Sequence, residues 1–408
     1  MAGSRGLALA AAAGLLLRLA FGLVYWVGEP LTRDEREYLS LARSLAAGHG
    51  FTYDESLRAG PVEPFARAPG YPVFLALVGG GRTETSDVPL AVKIAQAIIG
   101  AGGVLFVGAL SGRLAGSRGA TAAAWIAACY PPLVAISARA FSEALYWPLG
   151  LAAAWLISSA AATSGSRAAW TAAVGGIVTG GCTLVRPAMI VFVALGAIWL
   201  LWRRWPRRAV MFLLGVALIV APWTVRNYER EGRLVIVASE GGVTFWTGNH
   251  PLARGDGDLA ANPDLKRASQ ALKAAHPDLS EAQMEPVYYR EALEWIRAHP
   301  IDWLALEGRK LFYLIVPAGP SYLLHSWRYY AASAGSYLLI LPIAVLGFVR
   351  LGTARGRAPG LWLLAGSAIV TCLVFFPQER FRIPVIDPVL IVCAGAAWTT
   401  ERHAVSLA

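Results

Sequence analysis

Apolar residues run along this chain in long uninterrupted stretches, at 7–28, 87–110, 119–138, 141–161, 168–185, 187–202, 208–225, 334–349, 359–376 and 383–399. A helix needs about 20 apolar residues to cross a bilayer. The pattern therefore predicts an all-α polytopic membrane protein with about ten crossings. The first run, Leu7 to Val27, is too long for the apolar region of a signal peptide and lacks a convincing small-residue cleavage site. Several connectors are short and rich in arginine: Arg113 and Arg118, Arg167, Arg203 to Arg208, and Arg350 to Arg357. Cationic short loops stay in the cytoplasm. That places both termini there and leaves two long segments, 29–86 and 226–333, outside.

The outer segments carry shorter patterns. Residues 33–47 have helical periodicity and stop at Gly48. Segment 226–333 holds a β-like run from Arg233 to Ser239, a turn at Gly241-Gly242 and a charged helix near 280–298. Pro300 to Pro317 is apolar enough for a span, but it carries Asp302, Glu307, Arg309 and Lys310, which are costly at mid-bilayer. Counting it as a crossing would also move the Arg350–Arg357 loop outside, so it reads as an interfacial helix on the outer face. The chain then divides into an N-terminal membrane module (1–225), a small extracytoplasmic loop region with the interfacial helix (226–333) and C-terminal membrane helices (334–408). Arg18 lies inside the first span, either facing the bundle interior or snorkelling.

Composition agrees. The 408 residues are 56% hydrophobic and 15% charged, too little polar material to cover a surface in water. The net charge of +10 would suggest nucleic acid for a soluble protein. Here the arginines orient membrane helices, and no nucleic-acid partner is expected. Cys129, Cys182, Cys372 and Cys393 all lie in apolar runs, so no disulfide is expected. The six histidines show no metal-ligand spacing, and no Asn-x-Ser/Thr acceptor occurs.

Candidate chemistry gathers at the ends of the spans. Asp34 and Glu35 follow the first span, in Leu31-Thr-Arg-Asp-Glu-Arg-Glu-Tyr38. Thr32 to Glu35 fits a capping box, in which Asp34 only complements the helix dipole. Ionisable residues at membrane helices are also often functional, and both readings hold together if Glu35 serves the cap and Asp34 the chemistry. Arg186 sits in one short outer turn, and Glu379, Arg380 and Arg382 fill another. Lys and Arg are disfavoured there, and two such violations on one face suggest phosphate binding over simple solvation or headgroup contact. Glu143 starts the fourth span, where charge complementarity with the helix is the plainer reading. Arg67 and Tyr71 lie in a Pro-Gly turn leading into a short helix; Arg226-Asn227 follows the seventh span, and Asn249 closes the β-like piece beside Phe245 and Trp246.

Taken in order, these pieces resemble the GT-C superfamily of multi-span glycosyltransferases. They are similar to the dolichyl-phosphate-mannose protein mannosyltransferases and the lipid A aminoarabinose transferases. The resemblance rests on Arg33-Asp-Glu-Arg-Glu-Tyr38, Arg67-Ala-Pro-Gly-Tyr-Pro72, Phe141-Ser-Glu143, Val185-Arg-Pro187, Pro222-Trp-Thr-Val-Arg-Asn227, Gly248-Asn249 and Glu379-Arg-Phe-Arg-Ile-Pro384. It implies a GT-C-type bundle in the plasma (inner) membrane with its active site on the extracytoplasmic side. Asp34 matches the family's catalytic carboxylate, Glu143 its second acid, and Arg380 and Arg382 the basic residues that hold the lipid phosphate. It implies a polyprenyl-phosphate sugar donor and an extracytoplasmic acceptor, a cell-envelope glycan, lipid or protein. No cofactor is expected. The lack of an Asp-x-Asp signature at Asp34 argues against a divalent metal but leaves it open. The outer region is short for a protein mannosyltransferase, so acceptor recognition does not carry over. Two other readings stay open: a transporter or flippase of a lipid-linked saccharide, and a polymerase or ligase using lipid diphosphate donors.

Overall fold

A computed structural model describes residues 2–53, 67–81 and 86–398. Its elements are α1 (Ala2–Ala20, continued by a π-helical turn Phe21–Tyr25), α2 (Arg33–Ala46), α3 (Gly70–Leu77), α4 (Leu90–Cys129), α5 (Pro131–Ala135), α6 (Glu143–Ala162), α7 (Gly165–Val185), α8 (Ile190–Trp202) and α9 (Pro206–Glu231). There follow α10 (Gly241–Gly248), α11 (Pro263–Ala274), α12 (Glu281–Ala298), α13 (Pro300–Ile315), α14 (Trp327–Leu351), α15 (Pro359–Val374), α16 (Glu379–Arg382) and α17 (Ile386–Gly395). No strand occurs among the described residues. Six helices there are long and apolar enough to cross a membrane, and three shorter apolar ones, Pro187–Trp202, Pro359–Val374 and Ile386–Trp398, accompany them.

The forty-residue α4 is two antiparallel arms. Gly116 has φ +70° and ψ −168° inside it, a conformation open to glycine and strained for other residues. A methyl on Gly112 would meet Ala120 Cβ at 3.2 Å and one on Gly108 would meet Ala124 Cβ at 3.3 Å, both pairs centred on residue 116. The separate stretches 87–110 and 119–138 of the hydrophobic pattern are thus the arms of one hairpin. α1 packs along it. Arg18 faces the bundle interior, 1% exposed. Its guanidinium donates to the carbonyls of Gly14 (2.9 Å), Ala127 (3.4 Å) and Ala128 (3.5 Å), which satisfies a cation that lipid could not. α7 and α9 approach backbone to backbone at Gly176 and Gly215, the small-residue contact typical of membrane helices.

Segment 226–333 departs from the sequence reading at two places. Arg233 to Ser239 is not a strand but an irregular segment strapped over the end of α9. Asn227 Nδ2 donates to the carbonyls of Val235 (3.0 Å) and Val237 (3.2 Å), and Trp223 Nε1 donates to Val237 (2.8 Å). Side-chain donors take the carbonyls that a partner strand would have used, which leaves the β-branched run without a ladder. Gly241-Gly242 opens α10 rather than making a turn, and Asn249 follows that helix. In α13, Leu306, Lys310 and Leu314 form the buried face, while Asp302 and Arg309 are exposed. Lys310 Nζ is held by Glu307 (2.6 Å), Asn249 (3.1 Å) and the Leu373 carbonyl at the end of α15 (2.8 Å).

Candidate active site

The first turn of α2 is fixed by the capping box that the sequence suggests. Thr32 accepts from the Glu35 N–H, and Glu35 accepts from the Thr32 N–H at 2.9 Å. The other Glu35 oxygen accepts from the Ala140 N–H at 3.0 Å, so this one carboxylate also docks the segment leading into α6. With Glu35 turned inward, Asp34 faces the groove between α2, α6 and α16.

Asp34 is held between two arginines. Arg67 Nη2 donates to Oδ1 at 2.7 Å, and Arg380 Nη1 donates to Oδ2. The Arg380 guanidinium continues to Glu143, Nε to Oε1 at 2.7 Å, and Arg186 lies 2.5 Å from the same oxygen. In the other direction Arg67 Nε donates to Glu37 at 2.8 Å, and Arg33 donates to the opposite Glu37 oxygen at 2.9 Å. Glu240 stands 3.7 Å from Arg67. Charges thus alternate along one row, Arg33–Glu37–Arg67–Asp34–Arg380–Glu143–Arg186. Tyr38 supports it from below: its ring lies 5.2 Å under Arg67 and its hydroxyl donates to Ser142 Oγ at 3.4 Å. Tyr71, wholly buried, packs edge-on against Tyr38 and donates to Gln96 Oε1 at 2.6 Å.

The carboxylates differ in access. The Glu143 and Glu37 side chains are 0% and 1% exposed, whereas Asp34 is 24% exposed. Burial alone would raise the Asp34 carboxyl. The charges of Arg380 and Arg67 and their hydrogen bonds outweigh it and hold the group well below the usual carboxylate range. Burial lifts the Glu240 carboxyl above its ordinary value, against the pull of Arg67.

Asp34, Arg67, Glu143, Arg186 and Arg380, all singled out in the sequence, meet in this one cluster. Others lie apart. Arg382 is buried in a second network, its Nε 3.0 Å from Asp387 and its guanidinium 3.9 Å over Tyr337. Glu379 bonds Ser333 and lies 3.5 Å from His325; burial pushes its carboxyl up to about 7. Arg226 stacks on Trp223 at 4.4 Å beside Asn227. Asn227 and Asn249 spend their amides on backbone carbonyls. Glu37 and Glu240 were missed. Glu37 sits three residues after Asp34 on the same helical face, a signal that was available; Glu240, in irregular chain, had none. Among the described residues no group of three His, Cys, Asp or Glu side chains is arranged to hold a metal, and the site's carboxylates are taken up by arginines.

Residues 71–225 match a family model described as dolichyl-phosphate-mannose-protein mannosyltransferase. That span includes Tyr71, Glu143 and Arg186 but not Asp34, Arg67 or Arg380. No curated protein matches the chain. Among solved structures, the Archaeoglobus fulgidus oligosaccharyltransferase tethered to an acceptor peptide aligns with 97% of this chain and 49% of its own, at 15% identity and TM-score 0.60. The same enzyme with Zn and sulfate aligns over 96% and 48%, at 16% identity and TM-score 0.56. A third structure, AglB from the same organism with an inhibitory peptide and a dolichol-phosphate, aligns over 97% and 50%, at 13% identity and TM-score 0.56. The chain spans about half the length of these relatives. Over residues 71–225 the chain is thus similar to the dolichyl-phosphate-mannose-protein mannosyltransferase model, and over nearly its whole length it is similar in fold to these oligosaccharyltransferase structures.

Proposed function

We propose that the protein moves a sugar from a polyprenyl phosphate carrier to an acceptor at the extracytoplasmic membrane surface, with inversion at the anomeric carbon and Asp34 as general base. The observation that carries this reading is the Arg380 guanidinium shared between Asp34 and Glu143. It joins a partly exposed, ionised carboxylate to a cation within one side chain's reach. Of the carboxylates in the alternating row, Asp34 alone has the exposure to meet an acceptor, and Glu143 and Glu37 anchor the arginines around it. In the resting site Asp34 is a weak base because two arginines saturate it. A donor phosphate that draws Arg380 away would raise its basicity at the moment the acceptor hydroxyl must lose its proton. The hydroxyl oxygen then bonds to the anomeric carbon as the carbon–phosphate-oxygen bond breaks. Charge grows on the departing phosphate, and Arg380 and Arg186 stabilise it more in the transition state than in the ground state. The dolichol-phosphate complex of AglB supports a lipid phosphate as the carrier group in this fold.

The test is a purified-protein assay with a panel of polyprenyl-phosphate sugars, reading release of the carrier phosphate. Sugar-dependent release with at least one donor is expected. Movement of the lipid-linked sugar across a vesicle membrane without cleavage would contradict the reading and favour a flippase.

A further inference from the structure

Carboxylates match nearly every arginine of the site: Arg67, Arg186 and Arg380 each have one within 2.7 Å. Arg139 is the exception. Among the described residues it has no ion pair, and its buried Nε has no hydrogen-bond partner. Its guanidinium lies 5.2 Å from the Trp26 ring and 4.9 Å from the Phe141 ring. Arg380 lies 4.3 Å over that same Phe141 ring, so one aromatic carries two cations, one neutralised and one not. The Arg139 charge also acts on Tyr329 and His325, and Arg380 acts on the same His325.

The backbone here is clamped. Gln96 Nε2 donates to the carbonyls of Ser137 (3.0 Å) and Arg139 (2.9 Å), and the Ala140 N–H donates to Glu35 (3.0 Å). Such fixing of an otherwise idle, half-buried cation costs free energy unless an anion completes it. The planar guanidinium fork suits a phosphate. Trp26 ends the first span, where the apolar side chains of Val24 and Val27 are 80% and 57% exposed.

We propose that Arg139 binds the phosphate of the lipid carrier between Trp26 and Phe141, with the prenyl chain leaving past Val24 and Val27. Glu35 is then a positioning residue acting through the Ala140 N–H. The inference rests on the glycosyltransferase reading and adds to it a phosphate ligand distinct from the saturated arginines.

Two measurements on the full chain in detergent test it. The first is phenylglyoxal modification of Arg139, followed by peptide mass spectrometry, with undecaprenyl phosphate, undecaprenol or inorganic phosphate present. Undecaprenyl phosphate should slow modification about tenfold or more, and undecaprenol should not. Equal rates with and without the lipid phosphate overturn the assignment. Equal protection by inorganic phosphate at the same concentration overturns its lipid part. The second is native mass spectrometry of undecaprenyl phosphate binding, in which Arg139→Gln should weaken affinity about 10- to 100-fold. Equal binding by wild type and variant overturns only the role of Arg139. Absence of binding by the wild type overturns the polyprenyl-phosphate reading itself.

Discussion

Arg380 Nε donates to Glu143 Oε1 at 2.7 Å across 237 positions of the chain. The same guanidinium reaches Asp34, so α16, the start of α6 and the first turn of α2 close on one point. Segments that are remote in sequence thereby meet in one cluster.

Glu143 has no exposed side-chain surface and serves two arginines. Removing its charge leaves the partly buried Arg186 without its carboxylate and Arg380 with Asp34 alone, which typically costs about 1–3 kcal/mol. Glu143→Gln is expected to lower the Tm in detergent markedly. The double variant Glu143→Gln/Arg186→Met should recover part of the loss, because an apolar replacement removes one of the stranded charges. A single variant with unchanged Tm would contradict the anchoring role.

The hairpin bend at Gly116 requires a backbone region that side chains with a Cβ avoid. Gly116→Ala should destabilise the protein by about 1–3 kcal/mol although nothing crowds the position. Thermal unfolding beside a control such as Gly181→Ala, a helical glycine that is also uncrowded but has an ordinary φ, separates backbone strain from packing.

Burial raises the Glu379 carboxyl from 4.5 to about 7, so the folded state binds its proton more tightly than the unfolded chain does. Stability from this group is complete below pH about 4.5 and is lost as pH rises through about 7. Glu379→Gln should therefore flatten the fall in Tm across that window. A profile that still falls as steeply in the variant would assign the pH dependence elsewhere.

Much of this was legible in the sequence. The apolar stretches mark the helices because a bilayer leaves so few backbone solutions. Thr32-Arg-Asp-Glu35 specifies its cap locally, and the cap decides which acid turns inward and which faces the groove. Arg186 and Arg380 stood out because cations in short outer turns break the topology rule. Their shared pairing with Glu143 was not legible, since it depends on tertiary closure. Arg382 illustrates this: two residues from Arg380 and alike in type, it turns into the buried network around Asp387. Arg233 to Ser239 misled because a run of β-branched residues signals a half-buried surface rather than a strand as such. Only the donors of Trp223, Thr224 and Asn227 show what occupies its carbonyls.

The most direct test is turnover of a matched polyprenyl-phosphate sugar by purified Asp34→Asn protein, read as release of the carrier phosphate. Asparagine keeps the shape and loses the base, so turnover should fall about 10²- to 10⁴-fold while the protein remains folded. Turnover equal to wild type in the folded variant would contradict the assignment of Asp34 as the base.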